Sequence, residues 1–422
     1  MRSQIVRAPF MPGSLDEFFD RHAIEYPDRL YEVLRSESPV ARVGDTGVHL
    51  VATWDLIDEV LQRESDFSAN LTGVLVRADD GTPSIFPLPD LGGNHVIATA
   101  DEPDHGVHRA IAQPRLAPKV VAALEERIVG WTHDAFGPWV AAGGGDFAAI
   151  AELIPALAVA HVLGLPAGDV SRHRTWAMMG GDILAGTMGP AQLVKLATES
   201  GQMAEYLGEH LDAHAGRAGA NGAPPSDAPM LASLAFAVEQ GSISRIQAIG
   251  IAVVMFGAAG ESTAALIGSC GLRLAESPDL AATLRAEPEL IPRFIEEVVR
   301  LESPFKFHYR VVKLPCTLAG YELEAGDRLL LLWASANRDP AHFEEPDVLR
   351  LDRRHPKQHM GFGRGGHFCI GAPLARLEAR VVVEQLLSRT QSLSLDRSNP
   401  PSYANSIFVR RLESVSILVA PA

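Results

Sequence analysis

One stretch of this 422-residue chain places a soft metal ligand in an open setting: Phe362-Gly-Arg-Gly-Gly-His-Phe-Cys-Ile-Gly371. Its glycines, at 363, 365, 366 and 371, carry a single cysteine, Cys369, to the start of a predicted amphipathic helix. The metal-binding form of cysteine is the thiolate. Pro373 suits the first turn of that helix, and Leu374, Leu377, Val381 and Leu386 or Leu387 fall on one face. The partial positive charge and free N–H groups of a helix N-terminus favour a thiolate at Cys369. Cys270 and Cys316 carry no such context and read as small buried hydrophobes.

The loop resembles the haem-thiolate loop of the cytochromes P450. The family pattern Phe-Gly-x-Gly-x-His-x-Cys-x-Gly is complete at Phe362, Gly363, Gly365, His367, Cys369 and Gly371. The resemblance implies haem b with Cys369 as axial ligand, glycine backbone running close under the flat macrocycle, and a thiolate that favours O–O cleavage. Further segments match in the family's order from about residue 100 onward. Glu297-Val-Val-Arg300 resembles the Glu-x-x-Arg helix, whose buried ion pair braces the core beneath the haem. Alone, Glu297 and Arg300 would read as a surface pair, but Ser303-Pro304 and Arg310 continue the family's pattern. Asp101 to Arg109 is similar to the segment whose His and Arg bind haem propionates. His105, Arg109, Arg310 and His367 would then supply four donors, since buried carboxylates need partners. His108 stands where the family has an apolar residue and is left out. Asn337-Arg-Asp-Pro and Phe343-Glu-Glu-Pro-Asp resemble the loop before the cysteine, with a packing role.

The oxygen-site helix departs from the family. Ser244, with Gln247 three residues on, predicts a capped start, and the helix runs to about Leu274. The family's Ala/Gly-Gly-x-Asp/Glu-Thr falls on Ala258 to Thr263 in two registers. One takes Glu261 as acid and Ser262 as alcohol, with Ala259 in place of Gly; it keeps the downstream match and is preferred. The other uses Ala259-Gly260 and Thr263, with Ser262 at the acid position. A serine hydroxyl can deliver a proton directly or through one water. Without threonine's methyl its rotamer is less restricted. By position in the family, Phe305, Lys306, Phe307 and His308 pass the haem on the substrate side, with Asn405, Ser406 and Ile407. Lys306 and His308 are unusual there, and either binds a polar substrate or faces solvent.

The elements that must hold these residues read as one domain over 1–422, mainly α with small β-sheets, as the resemblance also implies. Helical patterns cover 14–35 and 117–164, the latter broken at Ala141 to Asp146. β-like segments fall near 40–43, 48–53, 328–333, 406–412 and 416–419. Residues 68–98, rich in Gly, Pro and Asp, read as a long substrate-side loop. Residues 172–213 read as a mobile helical lid weakened at Gly180-Gly181, 244–274 as the central oxygen-site helix, and 359–388 as the cysteine loop with its helix. Hydrophobic residues make up 47% and charged residues 21%, enough for a sizeable core. A net charge of −15 argues against nonspecific nucleic-acid binding. Three cysteines without a CxxC pair fit a reducing compartment. The first ten residues lack a long apolar run, and Ile246 to Gly260 reads as too short to span a bilayer, so the expectation is a soluble, cytoplasmic protein.

The resemblance implies a soluble bacterial-type monooxygenase that hydroxylates or epoxidises a small natural-product intermediate with O2. Electrons would come from NAD(P)H through a separate reductase and ferredoxin docking on the cysteine face, where Arg364 is a candidate contact. Oxidative C–C or C–N coupling of an aromatic cyclic dipeptide is the alternative, because the Ser262 substitution suits chemistry less dependent on oxygen insertion. A haem sensor is a third reading, which the acid–alcohol pair disfavours.

Overall fold

Five helices position the site in this computed structural model, which describes residues 6–9, 18–88, 95–216, 224–225 and 227–422. They are α1 (Asp104–Ala112), α2 (Ala148–Leu163), α3 (Arg245–Glu276), α4 (Ile291–Glu302) and α5 (Ala372–Arg389). The capping pair at the start of α3 is reciprocal. Gln247 N donates to Ser244 Oγ at 3.1 Å and Ser244 N to Gln247 Oε1 at 2.8 Å, satisfying two N–H groups that the helix itself cannot. At 32 residues α3 is long and apolar enough, by length and composition, to cross a membrane. The reading of Ile246 to Gly260 as too short to span is therefore corrected, while the helix predicted to about Leu274 is present with Glu261 buried inside it. Helix α3 packs against α2, α4 and α5, which is why its apolar residues run all round it.

Close approach requires the glycines of α3. A Cβ on Gly257 would stand 2.7 Å from the Cα of Gly180, and one on Gly260 would stand 2.4 Å from the Cβ of Ala177. The chain at 177–181 therefore lies directly on α3. Two helices, Val170–Ala177 and Pro190–Asp212, flank that turn, divided where Gly180-Gly181 suggested. Of the small-residue segment after them, residues 217–223 and 226 lie outside the described residues, as do 14–17 of the first predicted helix. The rest of that first segment forms Arg21–Glu25 and Asp28–Glu37.

A five-stranded sheet holds the substrate-side segment. Its strands are β1 (Val40–Arg42), β2 (Val48–Val51), β3 (Phe67–Ser68), β4 (His308–Val312) and β5 (Arg328–Leu331), in the order β1-β2-β5-β4-β3. β5 pairs with β2 in parallel and with β4 antiparallel, setting Arg310 opposite Leu329 and His308 opposite Leu331.

The reading of 68–98 as one irregular loop is corrected. Gly73–Arg77 and Pro83–Pro87 form an antiparallel hairpin, with Val74 opposite Phe86. Its turn is closed by Thr82, whose N and Oγ1 both donate to Asp80 Oδ1, at 2.9 and 2.7 Å, while Gly81 takes φ +87°. The Asp, Gly and Pro that suggested an irregular loop are turn chemistry, and the apolar Gly-Val-Leu-Val run before them is a strand. Residues 89–94 lie outside the described residues.

Candidate active site

Between α1, α3, β4 and the cysteine loop lies an apolar cavity holding about 1470 Å3 of atom-free space, its open mouth included. Cys369, Phe362, Gly363 and Gly371 line one side, and Ala259, Ser262 and Thr263 line another. The loop reaches this position by a short-range contact: Cys369 N donates to Phe362 O at 2.9 Å. Gly363 and Gly365 sit at φ +69° and +71°, which only glycine adopts without strain. A Cβ on Gly371 would lie 3.7 Å from Cys369 Sγ, so glycine keeps that side of the sulfur clear.

Helix placement alone does not ionise the sulfur. Burial pushes the Cys369 thiol above its ordinary range, although the N–H groups of Gly371 and Ala372 and the charges of Arg376 and Arg109 all pull it down. Desolvation outweighs the helix N-terminus, and a bound metal's positive charge would make the thiolate the stable form.

The candidate propionate ligands converge on one rim. The rings of His105 and His367 stack with centroids 3.9 Å apart. His105 Nδ1 lies 2.8 Å from Glu102 Oε1, and its buried Nε2 has no partner among the described residues. Burial and the Arg310 charge push His367 down to about 3, so it acts as a neutral donor and not as a counter-cation. Arg310 is buried and makes no ion pair among the described residues; Nη1 donates only to Tyr309 O at 2.8 Å. Its burial lowers it to about 10. A buried guanidinium without a carboxylate is costly. Arg109 Nη1 donates to Phe368 O at 2.9 Å and also faces the cavity. These groups, the unpaired His105 nitrogen and the sulfur fit an iron porphyrin bearing two carboxylates. His108 turns away, and its Nδ1 accepts from Ile97 N at 3.2 Å.

On α3, the stripe Met255, Ala258, Ala259, Ser262, Thr263 and Leu266 faces the cavity. Ser262 Oγ donates to Ala258 O at 2.6 Å. Glu261 does not face the cavity. It is buried against the 177–181 turn, where Oε2 accepts from Gly181 N at 2.6 Å and Oε1 lies 3.3 Å from Arg411 Nε. Burial raises Glu261 to about 7 despite Arg411, and Asp182 adds to the rise. Arg411 also meets Glu152 at 3.0 Å beside an open cleft that Asp182, Glu152 and Arg411 line. Glu261 thus stands between the cavity wall and that cleft.

The expected pocket residues divide. Phe305 and His308 line the cavity; Lys306, Phe307, Ser406 and Ile407 do not. Lys306 is buried on the far side, where Nζ donates to Ser406 O at 2.8 Å and Ile24 O at 3.2 Å. Burial, with Arg410 nearby, pushes it well below the lysine range, so it is neither solvated nor available to substrate. Phe307 packs on Phe408 and Tyr309. Ser406 Oγ accepts from the N–H groups of Phe408 and Val409, both at 3.1 Å, and Asn405 O accepts from Thr187. Arg364 is not free: it lies 2.6 Å from Asp58 and over the Trp54 ring.

Beneath the site, Glu297 and Arg300 form a buried bidentate pair at 2.7 and 2.9 Å. Asn337 Nδ2 donates to Ser303 Oγ at 2.9 Å and Met360 N to Asn337 Oδ1 at 2.6 Å, tying α4 to the cysteine loop. Two residues escaped the sequence reading. Arg411 meets Glu261 from 150 positions away, and no local pattern announces it. Trp333, in an apolar run that reads as core, also lines the cavity.

Comparison with known proteins agrees with this geometry. The sequence model described as cytochrome P450 matches residues 251–419. The chain is similar to cytochrome P450 144 of Mycobacterium tuberculosis, 39% identical over 95% of this chain and 91% of that one. It is similar to the monooxygenase PikC of Streptomyces venezuelae, 32% identical over 92% and 88%. Among solved structures, CYP109E1 of Bacillus megaterium in complex with testosterone superposes with a TM-score of 0.82 at 28% identity, over 94% of this chain and 99% of that one. Likeness at 39% identity along nearly the whole of both chains goes beyond a shared fold, and the chain belongs to the cytochrome P450 family of haem-thiolate monooxygenases.

Proposed function

We propose that this chain is a soluble, cytoplasmic monooxygenase that hydroxylates or epoxidises a small natural-product intermediate, with Cys369 as the axial ligand of haem b. The observation that carries the reading is the cavity itself: one half-buried sulfur in its wall, an alcohol-bearing helix across from it, and unpaired buried donors at its rim. Bound haem supplies the activation of O2, one oxygen atom going to substrate and the other to water with two electrons and two protons.

The chain's own residues have three tasks. His105, Arg109, Arg310 and His367 hold the propionates, His367 as a neutral donor. Ser262 and Thr263 bring hydroxyls to the oxygen side, and Ser262 fits the alcohol position because it bonds the carbonyl four residues back. Glu261, titrating near neutrality between the α3 wall and the Arg411 cleft, exchanges protons between solvent and Ser262. The electrons come from a ferredoxin and its NAD(P)H-dependent reductase. Phe368, exposed beside the cysteine, and Arg364 mark the face on which the ferredoxin docks. The relatives support a natural-product substrate: one structural neighbour, at 26% identity and a TM-score of 0.76, is a post-tailoring hydroxylase of himastatin biosynthesis.

The test is product mass from the haem-loaded protein with surrogate ferredoxin, reductase, NADPH and a panel of polyketide, terpene and aromatic cyclic dipeptide scaffolds. A gain of one oxygen supports the reading. Loss of two hydrogens without oxygen would replace it with oxidative coupling. Cys369→Ser should abolish the thiolate-type spectrum of the reduced carbon monoxide complex, and its survival would overturn the ligand assignment.

A further inference from the structure

His308 and Trp333 form a linked pair in the cavity wall. Trp333 Nε1 donates to His308 Nδ1 at 2.7 Å. An indole nitrogen is a donor only, so Nδ1 must be unprotonated. Burial and the Arg310 charge lower His308 to about 4, so the ring is neutral at pH 7. A neutral ring with a bare Nδ1 carries its proton on Nε2. That Nε2 has no hydrogen-bond partner among the described residues, yet it is not shut away as an orphan, and the residue lines the cavity. The ring cannot easily turn: the Phe305 and Phe408 rings stand edge-on to it, with centroids at 5.8 and 5.6 Å.

We propose that His308 is a specificity-determining residue whose Nε2–H, fixed in direction and tautomer by Trp333, takes an acceptor oxygen inside the cavity. The chemistry is that of a carbonyl or carboxylate; an ammonium group is excluded, because the nitrogen offers only a proton and the Arg310 cation stands two residues along the same face of β4. Two molecules can bring such an oxygen: the substrate, or a propionate of the haem. The inference rests on the haem-site reading above and extends it to the substrate's class. Set among Phe305, Phe408 and Trp333, an unmet Nε2–H disfavours a purely hydrocarbon ligand at this point.

The test separates these sources. In protein carrying 15N-labelled histidine, the His308 signal, identified by its absence in His308→Phe, should show a protonated Nε2 and a bare Nδ1. In Trp333→Phe it should become a tautomer mixture. A protonated Nδ1 in the unaltered protein overturns the proposal. The second arm titrates the haem-loaded protein spectrally with phenylimidazoles that bind through iron and carry a 3- or 4-acetyl group, each paired with its ethyl analogue. Wild type should prefer a ketone by about tenfold more than His308→Phe does. If the preference does not change but haem transfers faster to apomyoglobin from His308→Phe, the acceptor is the propionate. If neither changes, the donor role is wrong. The reduced carbon monoxide spectrum of wild type is read alongside: its absence would sink the haem-site reading, while the tautomer result still stands on its own.

Discussion

Arg300 should matter more to this fold than its acid partner does. Of its five hydrogen bonds, two go to Glu297 and three to the carbonyls of Asn337, Pro346 and Val348. Glu297 has other partners: the Arg353 guanidinium lies 2.9 Å from Oε1 as an ion pair, and Arg350 N donates to Oε2 at 2.9 Å. Arg300→Met strands a buried carboxylate, for which breaking a pair costs about 3–5 kcal/mol. Arg353 holds that figure near its low end. Three carbonyls losing their donor add about 1 kcal/mol each, for a total of roughly 6 kcal/mol. Glu297→Gln keeps an acceptor oxygen in place and should cost about 3 kcal/mol. Against a whole-domain stability of about 5–15 kcal/mol, the first change approaches unfolding and the second does not.

The assay is urea denaturation of the haem-loaded proteins followed by tryptophan fluorescence. With a slope of about 3 kcal/mol/M, Arg300→Met should unfold roughly 1 M below Glu297→Gln. Should Arg300→Met fail to accumulate folded, Arg300→Lys serves. It keeps the charge but loses the fork that reaches three carbonyls, and amide exchange over 337–353 should rise in it and not in Glu297→Gln. Equal midpoints and equal exchange for the two changes would refute the carbonyl-anchoring argument.

Two further outcomes follow from α3. Gly260→Ala should destabilise by about 1–2 kcal/mol, because a Cβ 2.4 Å from Ala177 is an overpacking penalty larger than the gain of about 1 kcal/mol in helix propensity; a higher melting temperature would overturn the close-packed turn. Glu261, raised from 4.5 to about 7 by burial, contributes stability that is full below pH 4.5 and is lost as pH rises through 7. Glu261→Gln lacks that titration, so its stability relative to wild type should improve between pH 5 and 8 by on the order of 2–3 kcal/mol. A difference that stays constant with pH would show that Glu261 is ionised throughout.

The legible parts of this protein were those whose meaning is local. The cysteine loop, the Ser244 cap and the break at Gly180-Gly181 each express a backbone requirement within a few residues, and each lies where the chain implied; the buried Glu297–Arg300 pair was legible only through the family resemblance. The hairpin at 73–87 was also local, and it was misread because turn residues and irregular loops share a composition. Order along the chain favoured the Glu261–Ser262 register over that of Thr263 without deciding between them, and both hydroxyls line the cavity.

Side-chain direction across segments was decided only by folding. Nothing in Phe305-Lys306-Phe307-His308 tells which of its members face inward; pairing β4 with β5 and laying 403–409 alongside sent Lys306 to the Ser406 carbonyl and His308 to the cavity. Arg411 finds Glu261, and Trp333 fixes the proton of His308, through contacts between distant segments. Sequence spacing determined which groups this protein carries and the local backbone that presents them. Burial and distance, which exist only in the folded chain, determined which of those groups are charged, which way they point, and what they can bind.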